Sequence, residues 1–177
     1  MRHEIRIAGA GGQGVVTAGR ILAEAAILSG FNATHSQVYG PQSRGGASRS
    51  DVVIADTDIG FPIADLIDLL IVLSPEAYLR FGLETDARLI VDERSVAEGA
   101  SGTGEMHRFG MVDAARKVSG SEIAVGVVAL GTLQAFAEIV DGDALRAAVA
   151  TRVPARHREM NLEALSAGMD LVPERVA

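Results

Sequence analysis

Residues 5–16 read IRIAGAGGQGVV, and this stretch decides the fold. A short apolar run ends in a glycine cluster, and a helical pattern of apolar residues begins directly behind it. The spacing Gly9-x-Gly11-x-x-Gly14 predicts a strand, a tight turn and a helix whose first N–H groups are free to bind an anion. A second interpretation stays open, in which the glycines only let the strand and the helix pack closely.

The composition limits the class of protein. The chain has 177 residues, 48% of them hydrophobic, which predicts a single α/β domain over residues 1–177. The net charge of −7 argues against nucleic acid or an anionic membrane as a partner. There is no cysteine, which excludes disulfides, cysteine nucleophiles and thiolate-held iron–sulfur clusters. We find no signal peptide or membrane span and expect a cytoplasmic protein.

The apolar patterns predict a Rossmann-like, three-layer α/β domain with a mostly parallel sheet. The first unit is a βαβ crossover. A hairpin around Asp56 and Thr57 adds antiparallel strands to this sheet. The predicted strands are Glu4–Ala8, Asn32–Val38, Ser50–Ala55, Asp58–Phe61, Leu69–Leu73, Arg88–Asp92 and Met106–Phe109.

Helix signals fill the intervals between these strands. Ser74 and Pro75 read as the N-cap and first residue of a helix. Gly126 and Gly131 interrupt the longest apolar helix, so we expect another backbone to pack closely against both. The predicted helices are Gly14–Leu28, Val112–Lys117, Ile123–Val140, Ala144–Val149 and Arg156–Asp170, and Glu98–Gly104 is predicted to be an exposed connection.

A second glycine-rich stretch, YGPQSRGGAS at residues 39–48, follows the second predicted strand. Loops beyond the carboxyl ends of strands form the ligand crevice of open α/β sheets. We therefore expect this loop to bring Arg44 and Arg49 close to the N-terminus of the first helix. Two cations beside free N–H groups suit a phosphate or a carboxylate. A solvated loop with structural glycines is an equally open interpretation.

Several chemistries lack the residues that they need. A nicotinamide site usually has an acid after the second strand, where this chain reads HSQVYG at residues 35–40. The glycine turn has no Lys-Ser/Thr ending of a P-loop, and no G-x-S-x-G elbow is present. The four histidines have no metal-ligand spacing. We assign neither a catalytic residue nor a metal ligand to this chain.

Two stretches together resemble the γ subunit of 2-oxoacid:ferredoxin (acceptor) oxidoreductases: AGAGGQGVVTAG at residues 8–19 and YGPQSRGG at residues 39–46. The resemblance continues at Val128–Gly131, at Val153–Arg156 and at Asn161, and it spans nearly the whole chain. Phe61–Ala64 and Val153–Arg156 look most like the 2-oxoglutarate class. Subunits of the pyruvate, ketoisovalerate and indolepyruvate enzymes share the domain and stay open as alternatives.

The resemblance implies a supporting subunit without a complete active site. In this family, α and β subunits oxidise the 2-oxoacid on thiamine diphosphate and release an acyl-CoA, succinyl-CoA for 2-oxoglutarate. A ferredoxin-like δ subunit carries iron–sulfur clusters, and ferredoxin accepts the electrons. The resemblance implies contacts with coenzyme A or a partner subunit from Gly11, Gly12, Gln13, Gly14, Arg44, Gly45 and Gly46. It gives no role for Asn161.

Other functions compete with this interpretation. A stand-alone module that binds a nucleotide or an acyl-CoA would use the same crevice, whereas a free-standing NAD-dependent oxidoreductase is disfavoured by the missing acid. The apolar segment Ile123–Val140 also predicts that the isolated chain forms an oligomer, most simply a homodimer.

Overall fold

A computed structural model of the protein describes residues 1–38, 46–83, 85–97 and 105–173. The described strands are β1 (Arg2–Ala10), β2 (Asn32–Val38), β3 (Ala47–Ala55), β4 (Leu69–Val72), β5 (Arg88–Asp92) and β6 (Met106–Phe109). The described helices are α1 (Val15–Leu28), α2 (Pro75–Phe81), α3 (Met111–Ser119), α4 (Val125–Ala137), α5 (Gly142–Arg152) and α6 (Arg158–Met169), with a 3-10 turn at Ala155–His157. The predicted connection Glu98–Gly104 lies outside the described residues.

The strands form one mixed sheet in the order β2-β3-β1-β4-β5-β6. Strands β1, β4, β5 and β6 are parallel, whereas β3 is antiparallel to both β1 and β2. Ile5 of β1 lies between Val52 of β3 and Leu69 of β4. This confirms the α/β fold class, a mostly parallel sheet with an antiparallel portion.

The antiparallel portion is not built as the sequence predicts. The predicted hairpin is wrong, because Asp58–Phe61 is not a strand. Strand β3 has β1 on one edge and β2 on the other, so no edge is left for a strand that follows it. The chain after β3 is instead tied to β1, where Glu4 accepts hydrogen bonds from the N–H groups of Asp65 and Leu66.

The predicted βαβ crossover is present in an altered form. Strands β1 and β2 run in the same direction, since both are antiparallel to β3. Strand β3 lies between them, however, so the crossover through α1 spans two strand positions rather than one. Gly30, at φ +87°, follows the C-cap residue Ser29 and ends α1.

The predicted cap at Ser74 and Pro75 is confirmed, whereas the predicted helix lengths are less accurate. The Ser74 side chain accepts a hydrogen bond from the N–H of Ala77, and Pro75 is the first residue of α2. Asp141 caps α5 in the same way through Ala144. The long apolar segment forms only α4, and the last predicted helix divides into a 3-10 turn and α6.

The two faces of the sheet are covered unequally. Five of the described helices, α1 and α3 to α6, pack on the face that carries Ile7, Val52 and Ile90. The face with Leu70 and Val91 is covered by α2 and by loops. The glycine-rich turn between β1 and α1 therefore lies on the face of the sheet that these five helices cover. No helix in the described part of the chain is long and apolar enough to cross a membrane.

Candidate functional site

The glycine loop, residues Gly9–Gly14, joins the end of β1 to the start of α1. Gly12 and Gly14 have φ values of +93° and +73°, a backbone region in which side chains other than glycine are strained. Gly11 and Gly12 are exposed. The loop thus presents bare backbone to solvent at the carboxyl edge of the sheet.

Gln13 is the buried polar residue of this loop, and only 6% of its surface is exposed. Its Oε1 accepts a hydrogen bond of 2.8 Å from the N–H of Ala10. Its Nε2 donates to the carbonyl oxygen of Leu73 at 3.0 Å and to Glu122 Oε2 at 3.1 Å. A primary amide has two N–H donors, so both are engaged within the chain. Gln13 therefore fixes the loop to β1, to the end of β4 and to the residues before α4.

The first turn of α4 also packs against the glycine loop. A Cβ atom at Gly126 would lie 2.9 Å from the carbonyl oxygen of Gly14 and 3.0 Å from that of Gln13. This confirms the prediction that another backbone packs against Gly126. The loop is consequently held between two strands and the first turn of α4.

The N-terminus of α1 is open. Its N-cap, Gly14, has no side chain to bind the first N–H groups, and the first turn contains no acidic residue. Ala18 donates to the carbonyl oxygen of Gly14, while the N–H groups of Val15, Val16 and Thr17 have no acceptor in the described part of the chain. Free N–H groups and the positive end of the helix dipole make this end a favourable place for an anion.

A cleft of 270 Å³ opens beside this helix end. One wall is formed by Gly12, Gly14 and Thr17, and the opposite wall comes from the start of α4 and from the segment that leads into α6. Its apolar lining comprises Ile123, Val127, Val153, Pro154 and Met160, and His157 and Asn161 add polar groups. The cleft therefore combines a helix end that has free N–H groups with a largely apolar lining.

The described end of the second glycine-rich stretch, from Gly46 onward, lies at the same edge of the sheet. Gly46 leads into β3, whose first residue, Ala47, is the register partner of Ala10 at the end of β1. Gly46 thus enters the sheet beside the point where the glycine loop leaves it. Arg44 and Gly45 lie outside the described residues, and their proposed contacts stay predictions.

Arg49 is not at this site, contrary to the expectation from sequence. It lies within β3, and its guanidinium carbon lies 5.7 Å from the centre of the Phe81 ring in α2. Its Nε lies 3.5 Å from Asp51 Oδ2. Side chains alternate along a strand, and Ser50 faces α1, so Arg49 faces the opposite side.

A second crevice, of 330 Å³, lies at the carboxyl ends of β1, β4 and β5. Its buried acid is Asp92, whose pKa is raised above the usual value mainly by burial. The Asp92 carboxylate accepts hydrogen bonds from the N–H groups of Val112 and Arg94. From the end of β5 it therefore binds a free N–H group in the first turn of α3, whose N-cap residue is Gly110. Arg94 and Arg116, which line the crevice, pair with Asp113 and Glu122.

The glycine-loop cleft is thus the better candidate, and sequence reasoning found only part of it. The loop has a motif, whereas Thr17, Ile123 and Met160 are ordinary residues of helices or their flanks. The resemblance pointed to Val153–Arg156 and Asn161 without a role. In the described part of the chain, no three His, Asp or Glu side chains gather as a metal site would require.

Comparisons with known proteins agree with this arrangement. Residues 4–171 match the family described as pyruvate ferredoxin/flavodoxin oxidoreductase. The 2-oxoglutarate synthase subunit KorC of Methanothermobacter marburgensis is 37% identical over 98% of this chain and 98% of its own. Ketoisovalerate oxidoreductase subunit VorA of Methanothermobacter thermautotrophicus is 31% identical over 97% of this chain and 37% of its own.

Solved structures give the same result. The γ subunit of a keto/oxoacid ferredoxin oxidoreductase from Geobacter sulfurreducens is 38% identical, with a TM-score of 0.81 over 95% of this chain and 96% of that one. The 2-oxoglutarate:ferredoxin oxidoreductase of Magnetococcus marinus, solved with 2-oxoglutarate, coenzyme A and succinyl-CoA, shares the fold at 20% identity and a TM-score of 0.82, over 96% of this chain and 31% of that one. The chain therefore belongs to the pyruvate ferredoxin/flavodoxin oxidoreductase family, and within it to the γ subunits of 2-oxoacid:ferredoxin oxidoreductases.

Proposed function

We propose that the chain is the γ subunit of a 2-oxoglutarate:ferredoxin oxidoreductase and that its glycine-loop cleft binds part of coenzyme A. The 2-oxoglutarate class is favoured because the KorC relative matches end to end at 37% identity, against 31% for the ketoisovalerate relative. The pyruvate and indolepyruvate classes remain alternatives that the substrate assay below separates.

The observation that carries the coenzyme A proposal is the open end of α1 beside an apolar cleft. Coenzyme A joins phosphate groups to a long arm that carries methylene and methyl groups, so a single ligand would contact both the helix end and the apolar walls. A small dicarboxylate such as 2-oxoglutarate has no such arm. The cleft volume of 270 Å³ suits part of coenzyme A, and the rest would extend towards a partner subunit.

This assignment divides the work between subunits. The sequence contains no cysteine to hold an iron–sulfur cluster. We therefore place the clusters in a ferredoxin-like δ subunit and the thiamine diphosphate in α and β subunits, with ferredoxin as the electron acceptor. The homodimer of the isolated chain and its cytoplasmic location stay predictions.

The first test is purification of the tagged chain from its own cells, followed by assay of dye reduction. We expect large thiamine- and iron-containing subunits in the eluate and activity that requires both 2-oxoglutarate and coenzyme A. Activity with pyruvate instead would reassign the substrate. A chain that elutes alone, and is inactive but binds coenzyme A, would favour the stand-alone binding module.

The second test concerns the cleft. Thr17 is exposed in the first turn of α1 and lines the cleft. In Thr17→Glu a carboxylate would repel a bound phosphate without weakening the helix, because an acid in the first turn is favourable. We expect the KM for coenzyme A to rise at least about tenfold while the KM for 2-oxoglutarate is unchanged. Thr17→Gln is the uncharged control. An unchanged KM in Thr17→Glu would refute coenzyme A binding at this cleft.

A further inference from the structure

Three arginines gather around Phe81 on the face of the sheet that α2 covers, which we call the α2 face. The guanidinium carbons of Arg80, Arg6 and Arg49 lie 5.3, 5.6 and 5.7 Å from the centre of the Phe81 ring. At such distances a guanidinium group is attracted to the ring. The whole chain has a net charge of −7, so this arginine cluster differs from the rest of the protein in its charge.

The chain neutralises only part of this positive charge. Arg6 donates two hydrogen bonds to Asp51, at 2.7 and 3.0 Å. Arg49 lies 3.5 Å from the same carboxylate, and its buried Nε has no hydrogen-bond acceptor among the described residues. Arg80 is exposed and forms no ion pair in that part of the chain. One carboxylate therefore serves three guanidinium groups, and a further acceptor is missing.

The nearby acids do not supply this acceptor. Asp65 and Asp86 line a crevice of 620 Å³ together with Arg80 and Phe81. Both acids are exposed, and in the described ranges of the chain neither pairs with an arginine of the cluster. Water and salt screen such exposed charges, whereas only 32% of the Arg49 side chain is exposed. The donors of Arg49 and Arg80 are thus available to a carboxylate from another molecule.

Exposed leucines border the arginine cluster. Leu79, on the outer side of α2, is 67% exposed. Leu66 is 78% exposed and lines the same crevice as Arg80, and Leu83 is exposed just after α2. Exposed apolar side chains and arginine together are typical of a protein–protein interface. A small anion would bind the arginines but would leave the leucines in water, so a protein segment is the better occupant.

The rest of the architecture favours a partner subunit on this face. The chain belongs to the γ subunits of a multi-subunit enzyme family, so another subunit contacts some part of its surface. The opposite face of the sheet is already covered by α1 and α3 to α6, whereas the α2 face has one described helix of seven residues. A second copy is the poorer occupant, because a two-fold dimer through this face would bring two positive clusters together.

We propose that the α2 face docks a partner subunit through a segment that carries an aspartate or a glutamate beside an apolar side chain. The carboxylate accepts hydrogen bonds from the arginine cluster, and the apolar side chain packs on Leu79. Because the Arg49 guanidinium is already held against Phe81, it loses little conformational freedom when the carboxylate binds. This inference uses the family membership and does not depend on coenzyme A binding at the glycine-loop cleft.

The first experiment identifies the occupant in the assembled enzyme. Leu79 is replaced by the photoreactive p-benzoylphenylalanine in the tagged chain, which is expressed in its own cells and irradiated before purification. We expect a cross-link to another subunit, at a peptide that contains an aspartate or a glutamate. The same group at Ala147, which is exposed on α5, is the control and should not reach that peptide. A cross-link to a second copy, to a peptide without an acid, or to no subunit would overturn the proposal.

The second experiment tests the charge. In Arg80→Glu a carboxylate would repel the acidic segment, and we expect the amount of partner subunits that co-purify with the tagged chain to fall at least about tenfold. Arg146→Glu reverses the charge of an exposed arginine on α5 and should keep all partner subunits. Thermal unfolding verifies that both variants are folded, and the cross-linking experiment decides if Arg80→Glu is not. A folded Arg80→Glu that retains its partner subunits would refute the docking surface.

This proposal and the coenzyme A proposal fail in different ways. Thr17→Glu changes the KM for coenzyme A in a complex that keeps its subunits, whereas Arg80→Glu changes the subunit content. If Thr17→Glu raises that KM and Arg80→Glu retains every subunit, only the docking surface is refuted. If Arg80→Glu loses partner subunits and Thr17→Glu leaves the KM unchanged, the docking surface stands and the coenzyme A site is refuted.

Discussion

The glycine loop and the crossing of α4 and α6 both depend on glycine, but for opposite physical reasons. In the loop, Gly12 has a φ of +93° and open space around its Cα. At the crossing, a Cβ atom on Gly131 would lie 2.0 Å from the carbonyl oxygen of Leu165, and one on Gly168 would lie 1.9 Å from that of Val128. The loop needs a backbone conformation, whereas the crossing needs the absence of a side chain. The same residue type thus marks a candidate binding site in one place and a packing contact in the other.

The largest effect is expected at the crossing. Gly131→Ala would force two helix backbones apart, because the three nearest atoms all belong to the backbone of α6 and none to a flexible side chain. We expect the free energy of unfolding to fall by about 3 kcal/mol or more. Urea denaturation measures this change. Gly142→Ala is the matched control, since no atom would contact the new methyl group and alanine is the better helix former.

If Gly131→Ala lowers the free energy of unfolding by less than about 1 kcal/mol, the crossing does not need glycine more than the loop does. So small a cost would mean that the two helices can shift apart to fit the methyl group. The Gly168→Ala variant repeats the test from the opposite helix. Similar losses in both variants would locate the strain in the crossing itself rather than in either helix.

A smaller effect is expected in the loop, where the cost is conformational. Gly14→Ala would place a Cβ atom at a φ of +73°, and we expect a loss of about 1–2 kcal/mol in the free energy of unfolding. Gly11→Ala is the control, because its φ is not positive and no atom lies within 4 Å of the new methyl group. Equal losses in the two variants would show that loop conformation is not the reason for glycine at Gly14.

The sequence predicted features whose causes are local. The glycine loop, the cap at Ser74 and the buried strand β4 follow from residues that are neighbours in the chain. Strand β3 could not be placed in the same way, because its position between β1 and β2 depends on pairing between distant segments. Arg49 was misplaced for a related reason. The prediction placed it directly after a loop that would bring it to the end of α1, but Arg49 lies within β3, where the alternation of side chains directs it to the other face.

The candidate site shows the same limit. Its first wall has a motif at Gly11–Gly14, but its second wall comes from residues 123–127 and 153–161. No local pattern brings these segments to the N-terminus of α1. Gly126 was the exception, since glycine within an apolar helix predicted the close approach that the structure has. Asn161 was noticed through the resemblance, and its contact with His157 emerges only from the fold.

Glu138 offers a further comparison, because it has a positive φ without being glycine. Glu138 ends α4 with a φ of +44°, the same left-handed region that the loop fills with glycine. We expect Glu138→Gly to raise the free energy of unfolding by about 1 kcal/mol, measured by urea denaturation. Gly120→Ala makes the reverse change at the end of α3, where φ is +72° and no atom would contact the methyl group. A neutral Glu138→Gly would mean that contacts of the glutamate offset its strain.

The smallest effect on stability is expected from His35, which lies beneath Gly19. At Gly19, α1 contacts side chains rather than backbone. A Cβ atom there would lie 1.9 Å from Ser50 Oγ, and Ser50 is hydrogen-bonded to His35 Nε2 at 2.6 Å. Burial lowers the pKa of His35 below its usual value of 6.5, and Arg20 on α1 lowers it further, whereas Asp51 on β3 raises it. As the pH falls, the His35 imidazole is therefore protonated more readily in the unfolded chain than in the folded one. The folded state consequently loses stability from about pH 6.5 downward.

The corresponding test is urea denaturation of wild type and His35→Gln at several pH values between about 5 and 8. We expect the wild type to lose more of its free energy of unfolding than the variant as the pH falls through this range, because glutamine does not titrate. Carboxylates elsewhere contribute equally to both proteins, so the difference between the curves isolates His35. Parallel curves would show that the histidine is protonated as easily under α1 as in the unfolded chain. In that case the space that Gly19 leaves for Ser50 and His35 would also admit water. The contact at Gly19 would then resemble the solvent-facing glycine loop more than the dry crossing of α4 and α6.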